Sequence, residues 1–584
     1  MTHHLPSQPY YTLDLREEGH QIVSGHLKAG GISPRGESIS FTSYYAVWND
    51  HPCLPVMGEF HFSRFPRQDW RQELQKMRAG GIQIVASYLF WIYVEEEEGI
   101  FDWSGDRDMR AFLEMCQQTG LRVLLRIGPF AHGECRNGGL PDWLYGQPFQ
   151  VRSNDERYLF YVQRYYEQVG KQVEGYRFQD GGPVIGIQIE NEYMHCGAPW
   201  EVTFKQGSEW IPAGSDGNEH MLRLKQLAQA AGLQAPFYTC TAWVGSPVPE
   251  HEFLPMHGGY AFTPWHPDPE YQQGPSHEFL FRDRHAHPLN GKEVPYQAEH
   301  YPYVCCELGS GIQITYHHRP IVEPECVQAM AVVALGSGAN ILGYYMYHGG
   351  SHPIGKHAYL NEFTVPRISY DFQAPIREYG QLNQSYHRLR ALHLFLHDFG
   401  ELLAPMPVVV PEQAARIEPE NTDLLRFAVR SRNGSGFLFL NNYQDHVVMR
   451  EHKEVRFSLN LPTGTLTLPQ CQALTVQPGV SAILPFNLLL DDRVLLTYAT
   501  AQVLTTISTS EQTSYIFFAP EGMHAEFAFE KATYQAIEVT QGTFKEEQNH
   551  GYVLVEPGLH CSIRITAHDG KSVQLLVLTQ DQAY

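Results

Sequence analysis

Two patterns of apolar residues meet near residue 400. Before that point, short apolar runs alternate with longer amphipathic stretches. The runs are 55–64 (PVMGEFHFSR), 82–91 (IQIVASYLFW), 121–130 (LRVLLRIGPF), 183–192 (PVIGIQIENE), 236–240 (PFYTC), 253–260 (FLPMHGGY), 303–309 (YVCCELG) and 340–350 (NILGYYMYHGG). Short apolar runs bounded by turn residues read as strands buried on both faces. Between them, PRQDWRQELQKMRAGG, DRDMRAFLEMCQQTG and ERYLFYVQRYYEQVGKQV repeat apolar residues at helical spacing and end near Gly or a polar turn. Strands separated by helices imply parallel βαβ units. Eight of them predict an α/β fold, a (β/α)8 TIM barrel over residues 51–400. A helix near 375–397 would complete the repeat. An open doubly wound sheet is the alternative, but no GxGxxG or P-loop follows any strand.

The segment 400–413 (GELLAPMPVVVPEQ) is Pro-rich and reads as a linker. Beyond it, apolar and polar residues alternate with turns every 8–12 residues, which predicts one or two β-sandwich domains over 401–584. Residues 1–50 hold short β-like runs such as YYTLDL and SISFTSYYAVW, expected to form a β-rich lead-in packed on the barrel. The last apolar strand lies directly before the end (SVQLLVLTQDQAY), as a shortened C-terminal domain would have it.

Composition narrows the function classes. With 43% hydrophobic and 18% charged residues, the chain can bury a large core. A net charge of −22 argues against nucleic acid or anionic membrane as partners. No uncharged apolar run reaches the ~18–20 residues needed to span a bilayer. The first residues, MTHHLPSQPYYTLDLREEGH, lack a basic region followed by an apolar one, so no signal peptide is expected. The ten cysteines are scattered, with no CxxC, and fit reduced structural thiols. The expected location is the cytoplasm, though a mature secreted or periplasmic form would look the same. The 33 Tyr, 31 Phe and 9 Trp offer faces for sugars, although a large core uses such rings equally well.

Active groups in a barrel sit at the C-terminal strand ends. The first run ends in Glu59 to Arg64 and the second carries Tyr88 and Trp91, followed by Glu95–Glu98, which reads as a solvated loop face. The third run leads into Arg126, His132 and Glu134, the fourth into Glu190-Asn191-Glu192-Tyr193, the seventh into Glu307 and the eighth into Tyr347-His348. The strand period of two puts Glu190 and Glu192 on one side and Asn191 on the other, unless the backbone bends. Glu307 follows Tyr-Val-Cys-Cys, so its charge needs a partner or a purpose. A salt bridge to Arg126 or Arg64 would supply the partner. Paired with Glu192 across the mouth, Glu307 suits glycoside hydrolysis, which needs one carboxyl as acid/base and one as nucleophile. We assign orientation of Glu307 to Arg64 and core charge balance to Arg126. His132 reads as a sugar ligand or a satisfied core histidine, and its strand-end place favours the sugar. Tyr347 joins the substrate-facing set by its position. Trp265 reads as a stacking platform or a loop anchor. His61, His132 and His348 lack HxH or HExxH spacing, so no metal and no cofactor is expected.

These residues bring a family into view. GEFHFSRFPRQDW, GGIQIVASYLFW, LRIGPFAHGECRNGGLPDWL, GGPVIGIQIENEY, VCCELGSG, YMYHGGSHPIG and SYDFQAPIREYG, in that order over roughly 50–400, resemble glycoside hydrolase family 35, best known for β-galactosidases, in a divergent bacterial-type form. The resemblance implies a (β/α)8 barrel with β-sandwich appendages and a retaining double displacement. It implies Glu192 as acid/base, Asn191 as holder of the sugar 2-hydroxyl, Glu307 as nucleophile, Glu134 as a ligand of sugar hydroxyls, and Tyr88 as the family's strand-two tyrosine. Three motifs depart from the family. W-N-x-H-E-P is here Trp91-Ile92-Tyr93-Val94-Glu95-Glu96, A-E-W is Gly133-Glu134-Cys135, and S-Y-D-Y-D-A-P carries Phe372 in place of a tyrosine. The expectation is a retaining exo-acting β-glycosidase, β-galactosidase-like, acting on a small-molecule carbohydrate. Alternatives are action on β-glucosides, transfer to a sugar acceptor, a non-catalytic carbohydrate-binding barrel and a metal-dependent hydrolase. A homo-oligomer is compatible with every one of these.

Overall fold

The computed structural model describes residues 11–16, 21–197, 213–241, 246–266, 268–288, 293–509 and 512–584. Each of the eight apolar runs contains a strand. They are β1 (Val56–Glu59), β2 (Ile84–Tyr88), β3 (Arg122–Arg126), β4 (Val184–Asn191), β5 (Phe237–Cys240), β6 (Leu254–Gly259), β7 (Cys305–Gly309) and β8 (Leu342–Tyr345). All pair in parallel, and β8 returns to β1 through Leu342↔Val56 and Tyr344↔Gly58, closing a barrel. Closure removes the sheet edges, and helices cover the outside, so the strands are apolar on both faces.

The outer layer holds α1 (Trp70–Ala79), α2 (Met109–Thr119), α3 (Glu156–Val173), α4 (Gly217–Ala230), α5 (Pro324–Gly336) and α6 (Gln384–Leu403). Local chemistry sets their ends. The Asp108 carboxylate accepts the Ala111 N–H at 3.0 Å to start α2, and Gly120, at φ 73°, stops it in the left-handed region. Among the described residues, β5, β6 and β7 are joined by loops and single 3-10 turns.

Two expected boundaries move. The last helix starts at Gln384, where the Asn383 side chain caps the Gln384 N–H at 2.8 Å. Residues before it run back along the mouth, and Ile376 bridges to His348. The same helix continues to Leu403, and Val408–Val409 pairs with Val429 and Arg430, so much of the Pro-rich linker is regular structure.

The C-terminal part is all β. An eight-stranded antiparallel sheet spans 408–555, and a five-stranded sheet is built from 502–579. The lead-in divides. Four short strands between Gly31 and Cys53 form an antiparallel sheet, and its Trp48 ring meets Phe178 edge-on at 6.0 Å beside the barrel. Tyr11–Asp14 instead pairs in parallel with Phe457–Asn460 of the C-terminal half. Residues 1–10 and 17–20 lie outside the described residues. Helix α5 is buried along almost its whole length between the barrel and the large sheet, which explains its apolar sequence. At this junction the buried Arg430 donates to the carbonyls of Leu335 and Ala339 (both 3.2 Å), Leu403 (3.1 Å) and Met406 (3.0 Å). It adds a charged donor to carbonyls at and just beyond the C-terminal ends of α5 and α6. No helix among the described residues is long and apolar enough to cross a membrane.

Candidate active site

The strand ends converge on Glu307. Arg126, at the end of β3, donates from Nη2 to Glu307 Oε1. The Tyr88 hydroxyl reaches the same oxygen at 3.4 Å, and the Tyr260 hydroxyl donates to Oε2 at 3.2 Å. Arg126 is fully buried and spends all three of its nitrogens. Nη1 donates to Glu59 Oε2 (2.9 Å), Nε to Gln188 Oε1 (2.8 Å) and Nη2 also to Asn191 Oδ1 (3.1 Å). Its plane lies 3.9 Å from the Tyr88 ring centre. A guanidinium fork suits this task, because it fixes several acceptors at once.

The expected division of labour between the two arginines is therefore reversed. Arg126 orients Glu307, and Arg64 does not touch it. Arg64 sits one turn beyond β1, so its side chain passes above the barrel interior. It donates to His61 Nδ1 (2.6 Å), the Gly133 carbonyl (2.5 Å) and His352 Nδ1 (3.3 Å), and it stacks 3.7 Å from the Tyr370 ring centre. Through Nη1 and Nη2, Arg64 braces the loop that carries His132 and Glu134.

The end of β4 bends, as alternation would forbid. Glu190 and Glu192 both take positive φ (58° and 46°), unusual for residues with a Cβ. The bend separates the three polar side chains. Glu190 turns to Arg152, which donates to its Oε2 at 2.6 Å. Asn191 turns inward, where its Oδ1 accepts from Arg126 and from Gln188 Nε2 (3.0 Å). Glu192 faces the mouth. Burial, then the charge of Glu307, push its carboxyl up to about 7.

Glu134 follows β3, also at positive φ (45°). Its Oε2 accepts from the Tyr370 hydroxyl and from Tyr345 at 3.4 Å, and those two hydroxyls lie 3.0 Å apart. Burial raises its carboxyl above the usual range. Phe372 packs its ring on Tyr345 and Tyr370, with centres 5.4 and 5.5 Å apart. His132 lies at the same rim, with Nδ1 3.5 Å from Cys196 Sγ and Nε2 3.8 Å from Glu362 Oε1. Trp265 is 41% exposed and meets Tyr260 edge-on at 5.5 Å.

Tyr347 does not join this set. Its ring lies in the layer between barrel and helices, against Tyr344, Tyr386 and His393. Gly58 makes room for it, since a Cβ there would sit 2.8 Å from Tyr347 Cβ. The tyrosine of the eighth strand that faces the mouth is Tyr345. His61 and His348 are spent on carboxylates, bonding Glu59 (3.1 Å) and Glu73 (2.9 Å). Glu95 is not solvated either. It is buried and accepts from Trp91 Nε1 and the Gly99 N–H, both at 2.7 Å. Sequence reasoning passed over Tyr260, Tyr345, Tyr370 and Gln188. Tyr260 ends the sixth apolar run, and that position alone would have pointed to it.

A sequence model described as β-galactosidase, domain 2, matches residues 411–584. A β-galactosidase of Xanthomonas manihotis is 45% identical over 148 residues, 25% of either chain. β-Galactosidase 11 of Oryza sativa subsp. japonica is 27% identical over 393 residues, 65% of this chain and 40% of the relative. The solved β-galactosidase of the psychrophilic Marinomonas ef1 has a TM-score of 0.41 at 12% identity, covering 61% of this chain and 62% of that one. The chain spans less than two thirds of the length of each of these three relatives. The model of glycosyl hydrolases family 35 matches residues 46–396, more than half of the sequence, and the chain belongs to that family.

Proposed function

We propose that the protein is a retaining, exo-acting β-glycosidase of the β-galactosidase type, with Glu307 as nucleophile and Glu192 as acid/base. One observation carries this reading. Two carboxylates at the ends of β4 and β7 stand in opposite settings: Glu307 is held by three donors, and Glu192 is pushed up to about 7 by burial and by Glu307. Paired carboxylates with separated environments are the mark of an acid and a nucleophile.

In the first step Glu307 attacks the anomeric carbon. The glycosidic C–O bond breaks, and the Glu192 proton goes to the leaving oxygen. The ester removes the charge of Glu307, so Glu192 becomes a stronger acid and stays ionised. In the second step Glu192 takes a proton from water, whose oxygen attacks the anomeric carbon and releases Glu307. Asn191 has its Oδ1 occupied by Arg126 and Gln188, which leaves Nδ2 to donate to the sugar 2-hydroxyl. That bond strengthens as charge develops at the ring. Glu134, with the Tyr345 and Tyr370 hydroxyls, forms a polar patch for the remaining sugar hydroxyls. A neutral sugar needs no electrostatic steering, so the net charge of −22 is no obstacle.

Trp265 favours a second reading on the same machinery, transfer to a sugar acceptor. Its exposed ring beside Tyr260 offers a platform for a second sugar. Aryl β-glycosides (galactoside, glucoside, glucosaminide, fucoside), assayed with and without an added sugar acceptor, test both readings. The galactoside should be cleaved best, with retained configuration. An inverted product, or no cleavage of any of the four, would overturn the proposal.

A further inference from the structure

Three half-buried side chains at the rim come from distant parts of the sequence. His132 follows β3. Glu192 directly follows β4, and the next turn folds Cys196 back beside it, with the Glu192 carbonyl accepting the His195 and Cys196 N–H groups at 2.9 Å. One ligand atom from each of His132, Glu192 and Cys196 can be chosen so that all lie within 4.8 Å of one another. We propose that Cys196, His132 and Glu192 form a binding site for a thiophilic divalent cation such as Zn2+, whose binding removes Glu192 from proton transfer.

Geometry carries the proposal first. His132 Nδ1 and Cys196 Sγ are 3.5 Å apart. A tetrahedral zinc ion with ordinary Zn–N and Zn–S bonds holds those atoms about 3.6 Å apart. A Glu192 carboxylate oxygen lies within 4.8 Å of both atoms and supplies the third ligand.

The second observation lies on the other side of the ring. His132 Nε2 points to Glu362 Oε1 at 3.8 Å. Glu362 is only 6% exposed, and this oxygen has no hydrogen-bond partner among the described residues. Its backbone N–H is tied to the Glu134 carbonyl at 2.9 Å, which fixes the strap carrying it. A histidine that binds metal through one nitrogen almost always gives its other N–H to a carboxylate. Glu362 stands where that carboxylate belongs.

Charge fits as well. A thiolate and a carboxylate neutralise a divalent ion, and thiolate with imidazole selects zinc over calcium or magnesium. Burial pushes the Cys196 thiol up; it donates to the Gly197 carbonyl at 3.3 Å, and His132 Nδ1 lies 3.5 Å from the sulfur. Metal binding displaces to solvent the protons carried by the Cys196 sulfur, the Glu192 carboxyl and His132 Nδ1. No electron moves. Loss of turnover on binding rests on the reading of Glu192 as acid/base, whereas binding itself does not.

The test uses the full chain with Co2+ and Zn2+. Wild type should show sulfur-to-cobalt charge-transfer absorption with one ion bound, and Zn2+ should inhibit reversibly, relieved by a chelator. Cys196→Ser should abolish the absorption and raise the Zn2+ concentration for half inhibition at least about 10-fold, and Glu362→Gln should weaken binding about 10-fold. A second group, Cys240 and Cys306 beside Glu307, is fully buried and supplies the control. Absorption that survives Cys196→Ser and disappears in Cys306→Ser would overturn the proposal, as would wild type binding neither ion. A chain that binds Co2+ through Cys196 yet cleaves no glycoside would refute the glycosidase reading and leave the metal site standing.

Discussion

A buried arginine holds each of two regions, the barrel mouth and the junction between barrel and β-domain. At the mouth, Arg126 bonds Glu59, Glu307, Gln188 and Asn191. At the junction, Arg430 bonds backbone carbonyls and the Asn340 side chain (3.0 Å). Both side chains are fully buried. The partners decide what each does. Arg126 fixes Glu59 and Glu307, the second of them the proposed nucleophile. Arg430 fills the polar ends of two helices, so its work is structural. The same residue type at equal burial thus orders carboxylates at the proposed site in one place and joins two domains in the other.

The difference can be broken from either side. The largest effect is expected from Glu307→Gln, which keeps the shape and removes the proposed nucleophile. It should lower kcat by about 10^4-fold or more, with an unchanged circular-dichroism spectrum. Arg126→Lys keeps the charge and loses the fork. It should cost about 10^2-fold in kcat, measured on the best aryl glycoside. Arg430→Met should leave kcat alone and lower the unfolding free energy by about 3 kcal/mol, read from denaturant titration, because the junction loses a buried cation that bonds five carbonyls and Asn340. If Arg430→Met lowered kcat as Arg126→Lys does, the two regions would not be separable.

The smallest effect is set by pH. Glu192 is pushed up to about 7 in the folded chain. An acid must hold its proton, so kcat/KM should fall as pH rises through about 7, and Glu192→Gln should lose that limb. Stability follows the same sign. A carboxyl raised above its unfolded value favours the fold fully at pH below about 4, and that contribution is lost as pH rises toward 7. Thermal melts should therefore show Glu192→Gln gaining about 1–3 kcal/mol on wild type at pH 8, with the gap closing near pH 4.

The fold was legible because its period was legible. Eight apolar runs separated by amphipathic stretches admit few topologies, and each run holds a strand. Boundaries moved where local caps outweighed periodicity, as at Asn383. In the site, Glu307 and Tyr88 stand together at strand ends as the sequence pattern implied. The arginine roles were not legible, because Arg64 and Arg126 differ in height along the barrel and the sequence carries no such coordinate. Tyr347 was misread for a related reason: facing direction at the end of β8 depends on backbone geometry, and Tyr345 is the residue turned inward. The bend at Glu190 and Glu192 also breaks the period that strand reasoning assumes.

The role of Glu307 is tested most directly by mass spectrometry of the chain after exposure to a 2-deoxy-2-fluoro β-galactoside with an activated leaving group. The fluorine slows the second step and traps the glycosyl-enzyme. A single label on the peptide that carries Glu307, absent from Glu307→Gln, is the predicted result. A label on Glu190 or Glu134, or steady turnover with no label at all, would contradict it.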